Sequence, residues 1–495
     1  MLLLLLLPLI PLLLLLYTVW VHAKYSHIPG PPRHNFLMGH TRHLLARFRE
    51  DFTGFTVARE YYEQYGPVYV LWFALKPFLV VTDPDSVRDT VSSNTHCKLD
   101  KRAEDVLFGE RFCGKKSIFV NKGDETWARN RKAYNKFFGR VHLKRYHGVV
   151  ELVAKRLVGR LSEFAGTGQV VDMNSWLNLA ACDIIGLVAF QWDIDSVSRD
   201  DDTFAGFLEV AFTGTAMATG VPLCRFLPQH RAMRENSKAA VRQLRLHCAR
   251  HISQYQTEDQ PESCLLDEIL AQAPDDLQFQ VDEMLAFFLA GQETVAHVLT
   301  FALCHVMRDP ALAELCESEV EGYLAAPSFE TLSTLEQTDM LMKETLRLYA
   351  PVPGLRRILS KDTVIAGYLV PKGTVIAHVL HIYGHSESVW GSDHMEFDPR
   401  RFSKSSFSIS KKASPSRTRT EVHNEENRHP HSFLPFGIGP RVCIGREVAK
   451  IEFKVLTAYL LGTFRFVPVE GEEIGQLRYT SVKPKSGYRC YLNFI

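Results

Sequence analysis

A cysteine set among glycines at the mouth of a helix constrains this chain more than any other feature. The run Phe436-Gly437-Ile438-Gly439-Pro440-Arg441-Val442-Cys443-Ile444-Gly445 leads into a helical pattern over residues 446–461. Its glycines let a flat ligand approach the backbone closely. A thiol at such a turn has its ionised form favoured by the helix dipole and by nearby backbone N–H groups. A cysteine without this setting is most often a small buried hydrophobe. The chain has 10 cysteines in 495 residues and no Cys-x-x-Cys pair, which argues against a disulfide scaffold or a zinc ribbon and places the bulk of the protein in a reducing compartment.

The N-terminus constrains location. Residues 2–21 are mostly leucine and carry no charge. About 20 residues at 1.5 Å each cross a ~30 Å hydrocarbon layer, so 1–23 is expected to be a transmembrane anchor. Val21-His22-Ala23 loosely fits a signal-peptide cleavage site, but no basic region precedes the apolar run. Lys24, Arg33, Arg42 and Arg47 follow it, and the positive-inside rule puts the body on the cytoplasmic side. The Pro-rich neck over 24–35, with Ile28-Pro29-Gly30-Pro31-Pro32, is expected to be an extended spacer between anchor and globule.

Residues 36–495 are expected to form one domain, mainly α with small β-sheets. Two strands are expected at 68–72 and 78–81 with a turn near Lys76-Pro77, and more at 364–376, around Tyr479 and at 488–494. Apolar residues at three- and four-residue spacing mark helices over 149–164, 177–190, 244–255, 281–307 and 335–348. The polar segment 403–431 is expected to be a flexible surface loop. A net charge of +1 argues against nucleic acid as a partner.

Other runs are unusual for their surroundings. Ala290-Gly291-Gln292-Glu293-Thr294 interrupts an apolar helix with a glycine that costs about 1 kcal/mol relative to alanine. Glu344 and Arg347 lie three apart on one helix face. Trp127 and Arg131 lie four apart on another. His378, His381 and His385 resemble a metal cluster, but no His-Glu-x-x-His signature accompanies them, so zinc is not expected there.

The loop 436–445 resembles Phe-x-x-Gly-x-Arg-x-Cys-x-Gly, the haem-binding loop of the cytochrome P-450 monooxygenases, at every fixed position. The resemblance runs from the neck to the end of the chain. It implies that Cys443 is the axial thiolate of haem b and that Phe436 belongs to the cofactor-binding loop. Trp127, Arg131, Arg357 and Arg441 then bind the haem propionates. The 290–294 run resembles the family's oxygen-activation motif, where a widened helical turn admits water and dioxygen. Thr294 and Glu293 are then catalytic: Thr294 governs protonation through a hydrogen-bonded water, and Glu293 helps to feed protons. Glu344 and Arg347, with Arg401 of Phe397-Asp398-Pro399-Arg400-Arg401-Phe402, resemble a structural cluster that locks the Cys443 loop against the core.

The same resemblance implies electrons from NADPH through a flavoprotein reductase, a lipophilic substrate, and single-pass residence in the endoplasmic reticulum membrane. Residues 25–33, 36–40 and 108–111 resemble sterol side-chain hydroxylases within the family; Gln292 and the long 403–431 segment depart from them. Phe207, Leu208, Phe212 and Met217 are candidates for an apolar pocket lining. Two other classes stand beside an oxygen-inserting enzyme: an isomerase or dehydratase acting on a lipid peroxide without external electrons, and a silent haem sensor or scaffold. Seven Lys or Arg and no Asp or Glu between Arg129 and Arg145 suggest a docking face for an acidic flavoprotein.

Overall fold

The computed structural model describes residues 9–51, 54–82, 84–87, 90–91, 97–98, 109–121, 124–220, 231–259, 262–403, 429–478 and 481–495. Contacts gather the chain into two compact units, each built from separated segments.

The first unit comprises Met1–Arg102, Pro353–Val389 and His429–Val442. Its helices include α1 (Leu9–Tyr25), α2 (Thr41–Asp51) and α3 (Phe55–Tyr65). Five strands form one sheet in the order β1 (Val68–Phe73), β2 (Lys76–Val81), β8 (Val375–Val379), β5 (Gly354–Leu359), β3 (Cys97–Lys98). β2 and β8 run parallel and the other pairs antiparallel. Alternation along β1 and β2 sorts side chains to two covered faces. Val68, Val70, Trp72, Leu79 and Val81 pack with Val21, Tyr25 and Ile28 on one face. Tyr69, Leu71, Phe78 and Val80 pack with Val57 and Tyr61 of α3 on the other. A small hairpin pairs β6 (Thr363–Ile365) with β7 (Tyr368–Val370).

The second unit comprises Ala103–Val352, Trp390–Arg428 and Cys443–Ile495. Its longer helices are α4 (Glu125–Asn135), α5 (Arg140–Ser162), α6 (Met173–Phe190), α7 (Thr203–Gly220), α8 (Arg231–Tyr255), α9 (Leu277–Arg308), α10 (Pro310–Ala325), α11 (Glu336–Leu348) and α12 (Arg446–Leu461). α6 and α9 are apolar enough to cross a membrane, but 72% and 83% of their most apolar windows are buried, which makes them core helices. A Cβ added at Gly291 of α9 would lie 2.9 Å from Ile185 of α6, so the glycine permits their close approach. Near the C-terminus, β12 (Arg489–Phe494) pairs β9 (Phe464–Pro468) and β4 (Val171–Asp172), and β10 (Gln476–Arg478) pairs β11 (Val482–Pro484).

The expected helices form, several with earlier starts. The first strand turn falls at Ala74-Leu75, before the expected Lys76-Pro77, because Ala74 takes φ +52° and Pro77 pairs with Trp72 inside the strand. Residues 364–376 divide between a hairpin and β8, while β5 carries no clear alternation and was not expected. The neck is not a free spacer. Val70 N–H donates to Pro29 O at 2.8 Å, and a Cβ at Gly30 would meet Val70 O at 2.5 Å, so only glycine lets the neck lie on β1. Val21 and Tyr25, at the end of the apolar run, are core residues rather than linker. Most of the 403–431 segment, and Tyr479, lie outside the described residues.

Candidate functional site

Cys443 begins the final segment of the second unit, just before α12. Among the eight described free cysteines it alone is solvent-accessible. Its surroundings are nevertheless protein on most sides, and burial raises its thiol above the ordinary value. The Gly445 N–H and the charges of Arg131 and Arg446 act the other way. A bound metal ion would complete the shift, since coordination deprotonates a thiol outright. An accessible sulfur with a backbone donor and two cations beside it therefore fits a thiolate ligand of haem iron.

In the preceding turn, Gly437 and Gly439 have φ of +73° and +75°, the left-handed region that glycine enters without steric cost. Arg441 closes the 3₁₀ turn Gly439–Arg441, and Phe436 is half-buried in the same loop. Leu434 and Ile438 pack against Val87, Val91, Leu380 and Tyr383, which fixes this part of the loop to the first unit. Arg357 also belongs to this unit, on β5. It is buried, donates to Arg356 O at 2.8 Å, and helps burial to hold His378 at about 3.

α4 is capped by Asp124, whose carboxylate accepts the Trp127 N–H at 2.9 Å. One turn on, Arg131 shares the face of the buried Trp127 and lies close enough to Cys443 for their charges to interact. This confers a donor pair on the cysteine side of the second unit.

α9 is buried along most of its length, yet Ala290 is exposed and Gly291 and Thr294 are half-exposed, so one face opens in mid-helix. The expected widened turn is absent. The helix continues from Leu277 to Arg308, and Thr294 Oγ1 donates back to Ala290 O at 2.8 Å, which satisfies the hydroxyl within the helix. Glu293, about 100° round the helix, faces elsewhere and accepts from Ser481 Oγ at 2.9 Å. Burial pushes its carboxyl up to about 7, against the opposing influences of Ser481 and Lys483. A carboxyl titrating there is a competent proton donor at neutral pH. His297, a further turn along, is held neutral at about 3 by burial and by Lys483.

The structural cluster forms. Glu344 and Arg347 make a bidentate pair at 2.6 and 2.7 Å, both side chains fully buried. Arg347 also donates to His394 O and Glu396 O, and Glu344 accepts the Asp398 N–H at 2.7 Å. Arg401 approaches Glu344 at 3.5 Å and donates to Trp390 O and Asp393. The cluster thus binds α11 to the 390–402 segment.

The three histidines have other partners. His378 bonds Thr90 at 2.8 Å and Tyr383 at 3.2 Å, His381 stacks on Phe55, and His385 bonds His381 O. Leu208 and Phe212 are buried, Phe212 against Phe112, while Phe207 tilts against His247 of α8. The Met217 side chain lies outside the described residues. Ser481, Arg446 and the buried acids Glu283 and Glu452 were not singled out from the sequence. A lone serine 188 residues from its partner carries no local signal.

A family model described as Cytochrome P450 matches residues 29–490. The chain is 27% identical to cytochrome P450 3A41 of Mus musculus over 482 residues, covering 91% of this chain and 88% of the relative. It is 26% identical to cytochrome P450 3A7 of Homo sapiens, covering 95% and 92%, and 27% identical to cytochrome P450 734A5 of Oryza sativa subsp. japonica, covering 81% and 74%. The crystal structure of the cytochrome P450DA heme domain superposes with a TM-score of 0.79 at 20% identity, covering 94% of this chain and 98% of that one. With a family match over most of its length, an accessible cysteine in the family's loop and a shared fold, the chain belongs to the cytochrome P450 family.

Proposed function

We propose that this member of the family hydroxylates the side chain of cholesterol or a closely related sterol, drawing electrons from NADPH through a flavoprotein reductase at the cytoplasmic face of the endoplasmic reticulum. Haem b, when bound, supplies activation of O₂ and insertion of one oxygen atom into the substrate.

Cys443 would supply the sulfur ligand, its negative charge supported by the Gly445 N–H, Arg131 and Arg446. By the family resemblance, Trp127, Arg131, Arg357 and Arg441 would donate to the carboxylates of the group, and Phe436 lies in the same loop as Arg441. Thr294 presents its hydroxyl at the open face of α9 and hands on protons there. Glu293 stores a proton near neutral pH, with Ser481 orienting its carboxyl.

The observation that carries the oxidative reading is this opening of the otherwise buried α9 at Ala290, Gly291 and Thr294, with Glu293 buried on another face of the same turn. The sterol assignment is supported by the likeness of residues 25–33, 36–40 and 108–111 to cholesterol 24-hydroxylase. The apolar stretch 207–223 adds to it: an apolar pocket stabilises a sterol by about 25 cal/mol per Å² buried, while the single hydroxyl needs one or two partners. Residues 2–21 support a membrane anchor.

The test incubates membranes containing the protein with NADPH, a reductase and a sterol panel, with products read by mass spectrometry. Cholesterol is expected to shift the Soret band toward high spin and to give a side-chain alcohol. Fatty acids giving both responses while cholesterol gives neither overturns the sterol assignment. Turnover of a lipid peroxide without NADPH, and no O₂ consumption, overturns the monooxygenase reading. Reduced, CO-bound protein is expected to show the red-shifted band of thiolate ligation, and Cys443→Ala to lose it.

A further inference from the structure

Three consecutive residues near the C-terminus meet two helices of the second unit. Ser481 Oγ donates to Glu293 Oε2 of α9 at 2.9 Å. Val482, the first residue of β11, is buried, and its backbone approaches His297, one turn beyond Glu293. Lys483 Nζ lies 3.4 Å from Oε1 of Glu209 on α7, and its charge reaches both Glu293 and His297. The ammonium therefore serves two helices at once.

Exposure grades along this line. Glu293 is 7% exposed, the Lys483 side chain 19% and the Glu209 side chain 65%. A cation thus stands between a buried carboxyl and a solvated carboxylate. The outer pair by itself contributes little to stability, but charges acting on a buried carboxyl are only weakly screened. Lys483 favours the ionised form of Glu293, and Glu209 favours the acid. The other polar groups beside Glu293 are uncharged: the Ser481 hydroxyl and the His297 ring, which burial and Lys483 keep neutral. His297 Nδ1 has no hydrogen-bond partner among the described residues. Among those residues, Lys483 and Glu209 are the two charges that bear on Glu293.

We propose that Lys483 and Glu209 are opposed positioning residues for Glu293: Lys483 holds it toward the carboxylate, while Glu209 engages Lys483 from the solvent side and holds Glu293 toward the acid. The surface ion pair between α7 and β11 thereby sets how readily the buried group yields a proton. This rests on the reading of Glu293 as a proton source and adds the residues that govern its strength.

The test titrates the full haem-loaded chain in detergent by infrared difference spectroscopy, following the carboxylic-acid C=O band that Glu293→Gln removes. The wild-type midpoint is expected at about 7. Lys483→Gln should raise it by about one pH unit and Glu209→Gln should lower it by about half a unit. Lys483→Arg, which keeps the charge, should stay within about 0.3 unit of wild type, as should Lys485→Gln, an exposed charge two residues on. Each variant is first checked for the CO-bound thiolate band, and where a Lys483 variant fails that check the sign of the shift in the solvent-exposed Glu209→Gln decides. Shifts of the same sign in Lys483→Gln and Glu209→Gln, or no shift in Glu209→Gln, overturn the inference. So does a Glu293→Gln variant that removes no band at any pH. Opposite shifts with no matching movement in the alkaline limb of coupled product formation uphold the control of Glu293 by these two charges and overturn its role in proton delivery, which keeps the two failures distinguishable.

Discussion

Ser481 Oγ donates a 2.9 Å hydrogen bond to Glu293 Oε2, joining the C-terminal hairpin region to the middle of α9. The bond favours the ionised carboxylate, while burial favours the acid. Removing the hydroxyl in Ser481→Ala should therefore raise Glu293 above its present value of about 7. The alkaline limb of coupled product formation should move up by about one pH unit, and Glu293→Gln should abolish that limb. An unchanged profile in both variants removes Glu293 from proton delivery.

Thr294 Oγ1 donates back to Ala290 O within its own helix, at the open face of α9. Thr294→Ala should retain haem and substrate binding but divert electrons into hydrogen peroxide or water, about tenfold or more against product. Peroxide yield per NADPH measures this. Unchanged coupling excludes the role.

Glu452 is 4% exposed, its Oε2 has no hydrogen-bond partner among the described residues, and burial pushes its carboxyl up to about 8. Between the unfolded value near 4.5 and about 8, the native state holds a proton that the unfolded chain releases. Stability from this group is thus full below the lower value and lost as pH rises to the higher one. Glu452→Gln should raise the unfolding free energy measured by urea titration at pH about 9, by on the order of 4–5 kcal/mol, with little gain at pH about 4. Equal gains at both values contradict the assignment.

Arg347 is fully buried between Glu344 and two carbonyls. Arg347→Ala strands a buried carboxylate and should cost about 3–5 kcal/mol. Lysine lacks the fork needed for all these acceptors, so Arg347→Lys should also fail. Urea titration and the yield of the CO-bound thiolate band report both; a stable, fully loaded Arg347→Lys shows that charge alone suffices.

Lys132 and Arg129 are exposed, whereas Lys136 approaches Glu268 at 3.8 Å, Lys144 pairs with Glu330 at 2.9 Å and Arg145 with Glu262 at 3.0 Å. Part of the basic run is therefore neutralised within the chain. Lys132→Glu should lower reductase-driven turnover several-fold at low salt, more than Lys136→Glu, with the difference fading as screening increases. Turnover indifferent to both reversals and to ionic strength excludes docking on this face.

The haem-loop cysteine, the Glu344–Arg347 spacing and the Trp127–Arg131 spacing were legible in the sequence because each lies within about one helical turn or one short loop, where local geometry fixes the relation between residues. The 3.6-residue pattern likewise located α6, α9 and α11. Longer relations were not legible. Adjacency pairs Glu293 in function with its neighbour Thr294, but adjacent residues on a helix face different ways, and only packing against the C-terminal hairpin region supplies Ser481. The neck read as a spacer from its prolines, yet the approach of Gly30 to Val70 and the burial of Val21 and Tyr25 belong to the sheet it lies on. Sequence alone determined which residue can be the sulfur ligand. Tertiary structure decided which groups surround it, because burial and long-range hydrogen bonds depend on elements hundreds of residues apart.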